Sequence, residues 1–121
     1  MNIYLASPYS HDSQTVRETR FQNICHVAGV LMECGYTVFS PIAHSHTISN
    51  YIGNPTETDF YLKQDVTFLE KWADEMWIIE LDGWEESKGI KKEIDFCVKH
   101  DIPIKRYGFD EIMFLKSKTM R

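Results

Sequence analysis

Two hydrophobic periods alternate along the chain. Short, nearly continuous apolar runs at Asn2–Ala6 (NIYLA), Tyr36–Phe39, Glu75–Leu81 (EMWIIEL) and Ile102–Lys105 predict strands, and the segments between them carry apolar residues three and four apart, as helices do. Val16, Ile24, Val27, Leu31 and Cys34 mark one face of a helix from about Gln14 to Cys34, and Gly35 is suited to end it. Leu62, Val66, Leu69 and Ala73 stripe a second helix from about Glu57 to Ala73. Ile90, Ile94 and Cys97 stripe a third from about Lys88 to Lys99, and Asp110–Lys116 reads as a terminal helix. Ser40 to about Pro55 shows neither period and is rich in His, Ser, Asn and Gly, so a long irregular loop is expected there. A loop of that length in a small domain is often functional.

Strands alternating with helices predict an α/β fold: a Rossmann-like three-layer sandwich around a central parallel sheet of four to five strands, forming one domain over residues 1–121. The apolar run at Glu75–Leu81 suits a strand covered on both faces. Ligands of such sheets bind beyond the carboxyl ends of the strands. Those ends are Ser7–Ser10, Ser40–His46 and Asp82–Ser87, which are also the most polar loops.

Composition narrows the class. The formal net charge of −5 argues against a broad nucleic-acid-binding surface but leaves room for a small anion held by local donors. No apolar run approaches the roughly 18 residues that span a bilayer, and Met1 leads straight into a strand without a signal-peptide pattern. Cys25, Cys34 and Cys97 are odd in number and widely spaced, which reads as reduced thiols in a cytoplasmic protein. No pair has the spacing of a zinc site, and neither a metal nor another cofactor is expected.

Two residues break the helical pattern. Glu93 lies three residues after Ile90 and four before Cys97, on the inward face of its helix. Asp65 stands at the same offset between Leu62 and Leu69. A carboxyl group in an apolar stripe costs free energy unless it is paired or has chemistry to do. Each can be a surface glutamate or aspartate paired with a neighbouring lysine. Together in one half-buried cleft they can instead split their pKa values, one serving as nucleophile and the other as acid, the arrangement that breaks glycosidic bonds with retention.

Around these two stand candidate binding groups. Ser7, Pro8 and Tyr9 follow the first strand and offer amides and hydroxyls to an anion, as do Ser87 and Gly89 before the helix of Glu93. Ser87 is equally a helix N-cap. Arg20 falls between Val16 and Ile24, where it is either solvated or reaches the cleft to meet a phosphate. His44 and His46 are candidates to contact a base or donate a proton, their His-X-His spacing alone being a weak metal signal, and Trp84 is a candidate to stack on a base.

Four segments resemble the nucleoside 2-deoxyribosyltransferase-like superfamily, which includes the 2′-deoxynucleoside 5′-phosphate N-hydrolases and CMP N-glycosidases. Ile3-Tyr4-Leu5-Ala6-Ser7-Pro8 is similar to the family's opening strand, with Ser7 where glycine is usual. Asp65, followed by Leu69 and Asp74, resembles the helix with the family's acidic residue, and Glu75–Leu81 resembles the strand leading to the active site. Ser87-X-Gly89-Ile90-X-X-Glu93 resembles the Ser-X-Gly-Val-X-X-Glu motif.

The resemblance implies that Glu93 is a nucleophile forming a glycosyl intermediate, that Asp65 assists base departure or activates the second nucleophile, and that Tyr4 orients Glu93. It implies that Ser87, where the transferases carry aspartate, contacts a 5′-phosphate. The expected activity is therefore cleavage of the base–sugar bond of a nucleoside 5′-monophosphate by a homodimer or higher homo-oligomer. The alternatives are a nucleoside 2-deoxyribosyltransferase, an NAD-type nucleosidase, and a module that binds a nucleotide or an NAD-derived signal without cleaving it.

Overall fold

The computed structural model describes residues 1–53 and 58–119. Four parallel strands, β1 (Asn2–Ala6), β2 (Thr37–Phe39), β3 (Glu75–Ile79) and β4 (Ile104–Tyr107), form one sheet in the order β2-β1-β3-β4. Five helices cover it: α1 (Gln14–Glu33), α2 (Pro41–Ile48), α3 (Thr58–Lys71), α4 (Lys88–Lys99) and α5 (Phe109–Thr119). The result is the three-layer, Rossmann-like α/β sandwich expected, with four strands.

The pleat sorts the strand residues into two cores. Ile3, Leu5, Trp77 and Ile79 face α1 and α5, where Ile24, Val27, Leu31 and Ile112 meet them. Tyr4, Ala6, Met76 and Ile78 face α3 and α4, against Leu69, Ile90 and Cys97. The register Tyr4↔Met76 places Tyr4 in the middle of the sheet, in the layer that holds Asp65 and Glu93. The chain leaves β1 toward β2 and returns across it to β3, so the strand order reverses between β1 and β3. A crevice opens at such a reversal, beyond the carboxyl ends.

Three expectations need correction. The segment after Ser40 is not an irregular loop: α2 spans Pro41–Ile48 and a 3-10 turn follows at Ser49–Tyr51. Ser40 caps that helix, its Oγ accepting from the amide of Ala43 at 3.1 Å, and Pro41 occupies the first turn, where no amide hydrogen is needed. The expected loop end at Pro55 and helix start at Glu57 lie outside the described residues. The last strand begins later than Ile102, because α4 closes through Asp101 at φ 57° and the Ile102 amide donates back to Cys97 at 2.9 Å. The third strand ends at Ile79 rather than Leu81, since the Leu81 amide turns back onto the Ile79 carbonyl at 2.8 Å.

Gly83 shapes the loop after β3. It has φ 90°, and the Arg20 guanidinium lies where a Cβ would stand. Gly83→Ala is expected to lower stability by about 1–3 kcal/mol through backbone strain and displacement of Arg20. Urea unfolding measures this, and an unchanged midpoint would contradict it.

Candidate active site

A cavity of about 980 Å³ lies across the strand ends. Ser7, Tyr9 and Ser10 line it from the loop after β1, Pro41 and His46 from the helix after β2, and Gly83 and Ser87 from the loop after β3. Asp65 of α3 and Glu93 of α4 both face this space.

Glu93 is 6% exposed and Asp65 8%, although both are ionisable. The fully buried Tyr4 hydroxyl donates to Glu93 Oε2. Asp65 Oδ1 is buried with no hydrogen-bond partner among the described residues. Burial pushes the Glu93 carboxyl up to about 8; the Tyr4 hydrogen bond opposes this, and the neighbouring Asp65 charge adds to it. Burial alone pushes Asp65 up to about 7. Near neutrality the pair therefore holds between one and two protons, Asp65 ionises before Glu93, and the Tyr4 bond narrows the gap between them by stabilising the Glu93 anion.

Cations and an open helix end gather at one side. Ser87 caps α4, its Oγ accepting from the Ile90 amide at 3.2 Å, which leaves the hydroxyl proton free for a ligand. Lys88 and Gly89 of the first helical turn line the same cavity, as do Arg17 and Arg20. Arg20 donates to the Ser10 carbonyl at 2.9 Å and lies over Gly83, tying the loop after β1 to the loop after β3. Asp82 and Glu86 also border this end, so its field is mixed rather than purely positive. Protons held by Asp65 and Glu93 lessen the negative charge that a phosphate would meet.

His46 lines the cavity with both ring nitrogens occupied: Nδ1 is 2.7 Å from the Tyr9 hydroxyl and Nε2 is 2.9 Å from Glu18 Oε2. Its ring stacks on Phe21 with centroids 4.0 Å apart. His46 thus clips α2 to α1 and to the loop after β1. The other base-contact candidates do not line this cavity. His44 is exposed beside Phe39, pointed away by the turn of α2. Trp84 packs against the α3–α4 core and carries Arg106 over its ring at 4.9 Å. Pro8 is buried and contributes no lining.

Sequence reading missed Tyr61. It lies one turn before Asp65 on the same face of α3, lines the cavity, and has a buried hydroxyl with no partner among the described residues. Ser7 Oγ is in the same condition. The signal was available, since residues four apart share a helix face, but an aromatic residue there reads as core. Among the described residues, no three His, Cys, Asp or Glu side chains are grouped to hold a metal.

Residues 1–109 match the family described as "Domain of unknown function (DUF1937)". No curated protein matches the chain.

The raised carboxyl pKa values have a consequence for stability. Both groups bind protons more tightly folded than unfolded, so their contribution is complete below the ordinary carboxyl range and is lost as pH rises through about 7 for Asp65 and about 8 for Glu93. Glu93→Gln keeps the shape and removes the ionisation. It is expected to raise the melting temperature at pH 8.5, by an amount corresponding to about 1–3 kcal/mol, and to change it little at pH 5. Calorimetry across this range measures the difference; equal curves for both proteins would show Glu93 to be solvated.

Proposed function

We propose that the chain, which belongs to the DUF1937 family, is a nucleotide N-glycosidase acting on a nucleoside 5′-monophosphate. The observation that carries this reading is the pair of buried carboxyl groups with raised pKa values facing one cavity, one of them hydrogen-bonded to a buried tyrosine. The singly protonated pair shares its proton between the two carboxyl groups, and the form that reacts has it on Asp65: ionised Glu93 attacks C1′ as the C1′–N bond breaks, forming a glycosyl ester, and the Asp65 carboxyl supplies the departing base with its proton. Esterification neutralises Glu93. Asp65, now ionised, then takes a proton from water as the water oxygen attacks C1′ and frees Glu93. Tyr4 fixes one oxygen of Glu93 and stabilises its anion.

The 5′-phosphate is assigned to the α4 N-terminus, where the Ser87 hydroxyl and the amides of Lys88 and Gly89 open the helix and Lys88 lines the cavity. With a second nucleoside base as acceptor in place of water, the same intermediate would give deoxyribosyl transfer. Arg17 and Arg20 beside the loop after β1 favour a second reading, an NAD-type nucleosidase whose substrate has a further phosphate. A pure binding module has no use for two carboxyl groups kept at a cost in stability. Free Cys25 and Cys97 suit a cytoplasmic setting, and exposed Ile48, Ile52 and Phe60 around a smaller neighbouring hollow suit a homo-oligomer.

Release of free base from a panel of nucleotides and nucleosides tests the reading. Glu93→Gln is expected to lower base release by at least about 10³-fold, and activity unaffected by this change would remove Glu93 as nucleophile. For the wild type, kcat/KM is expected to follow a bell with limbs near the two ionisations of the pair, at about 7 and about 8. Ser87→Gly, a tolerated N-cap, is expected to erase the preference for monophosphate over nucleoside while costing only a few tenths of a kcal/mol in stability.

A further inference from the structure

The cavity has two chemically different ends, and the strand order says which part of a nucleotide each receives. The α4 N-terminus follows β3, Glu93 sits on Tyr4 of β1, and α2 follows β2. The space therefore runs from the Ser87 end, past the carboxyl groups, to a wall made by α2 and the start of α3. In a nucleoside monophosphate the base and the phosphate arm leave the same face of the sugar from the two carbons flanking the ring oxygen, C1′ and C4′, and extend away from each other. With the phosphate at Ser87 and C1′ at Glu93, the base reaches the third region.

That region has the character of a base site. Pro41, Ile42 and Leu62 supply apolar walls, and Tyr61 stands among them. The Tyr61 hydroxyl is buried without a hydrogen-bond partner among the described residues. A buried hydroxyl in that state has lost its hydration without a hydrogen bond to offset the loss. A phenol also reaches further from its helix than the Asp65 carboxyl one turn away, so it extends beyond the group that acts at C1′. Tyr61 also borders a smaller hollow lined by Ile48 and Phe60, which fixes it on the α2 side.

We infer that Tyr61 is the residue that reads the base: its hydroxyl pairs with a polar group on the base edge, a ring carbonyl or an exocyclic amine, while Pro41, Ile42 and Leu62 hold the ring faces. This assignment rests on the nucleotide reading of the site. It makes the base preference a property of a hydrogen bond that is absent in the free protein and formed only with ligand.

The experiment uses two backgrounds. In otherwise wild-type protein, Tyr61→Phe is expected to raise KM for the preferred monophosphate about 5–30-fold, with a smaller effect on kcat, and to reduce its advantage over the other bases by a similar factor. The melting temperature of the free Tyr61→Phe protein should equal or exceed that of wild type, because the substitution removes an unpaired hydroxyl. In the Glu93→Gln background, binding is followed without turnover by thermal shift with AMP, GMP, CMP and UMP and their 2′-deoxy forms. One base should give the largest shift, and adding Tyr61→Phe should remove that advantage. Unchanged base preference in both backgrounds would overturn the inference. So would a lower free-protein melting temperature with equal loss for every base, the mark of a structural tyrosine. Selective binding that depends on Tyr61, with no base release by the wild type, would support the base site while rejecting the glycosidase reading.

Discussion

The cleft depends on one contact, the carboxyl group of Glu93 held out of water against the buried hydroxyl of Tyr4. An isoleucine or leucine at position 93 would pack the same stripe without a desolvation cost. The contact also fixes geometry. Tyr4 is a central residue of β1, so α4 must cross the layer above that strand for Glu93 to reach it, and the loop after β3 must deliver α4 from the correct side. The left-handed turn at Gly83, the Ser87 cap and the Arg20 strap meet that requirement. Stability given up at Glu93 is recovered in the two apolar cores on either side of the sheet, the usual relation between a site and its scaffold.

Much of this was legible in the sequence because it rests on periodicity. The span Lys88–Lys99 for α4 and the inward phase of Glu93 and Asp65 follow from the 3.6-residue repeat, and the strands β1 and β3 from their apolar runs. Where a short-range device outweighed the repeat, the reading failed. The helix α2 is short and its apolar residues form no clear stripe, so its Ser-Pro start carries more information than its periodicity. The late start of β4 is set by a left-handed residue, Asp101, after α4.

Site membership was less legible than fold, because a loop position does not give the direction of a side chain. Trp84 occupies a polar loop after β3 yet folds back onto the core, while His44 and His46, two residues apart on a helix rather than a strand, diverge. Tyr61 was hidden for the opposite reason: its position on the apolar face is what a core residue would show, and only its unpaired hydroxyl distinguishes it. Unsatisfied polar atoms belong to three-dimensional packing and leave no trace in a linear pattern. Ser7, Asp65 and Tyr61 all carry one, and all line a single cavity.

The central claim is covalent: the sugar is transferred to Glu93. A nucleoside monophosphate fluorinated at C2′ slows both halves of such a reaction by destabilising the oxocarbenium-like transition state, so the intermediate accumulates. Intact-protein mass spectrometry after mixing, followed by peptide mapping, reads it directly. The account predicts an adduct of one sugar phosphate, located on Glu93 and absent from Glu93→Gln. Base release by the wild type with no adduct, or with an adduct on another residue, would contradict it.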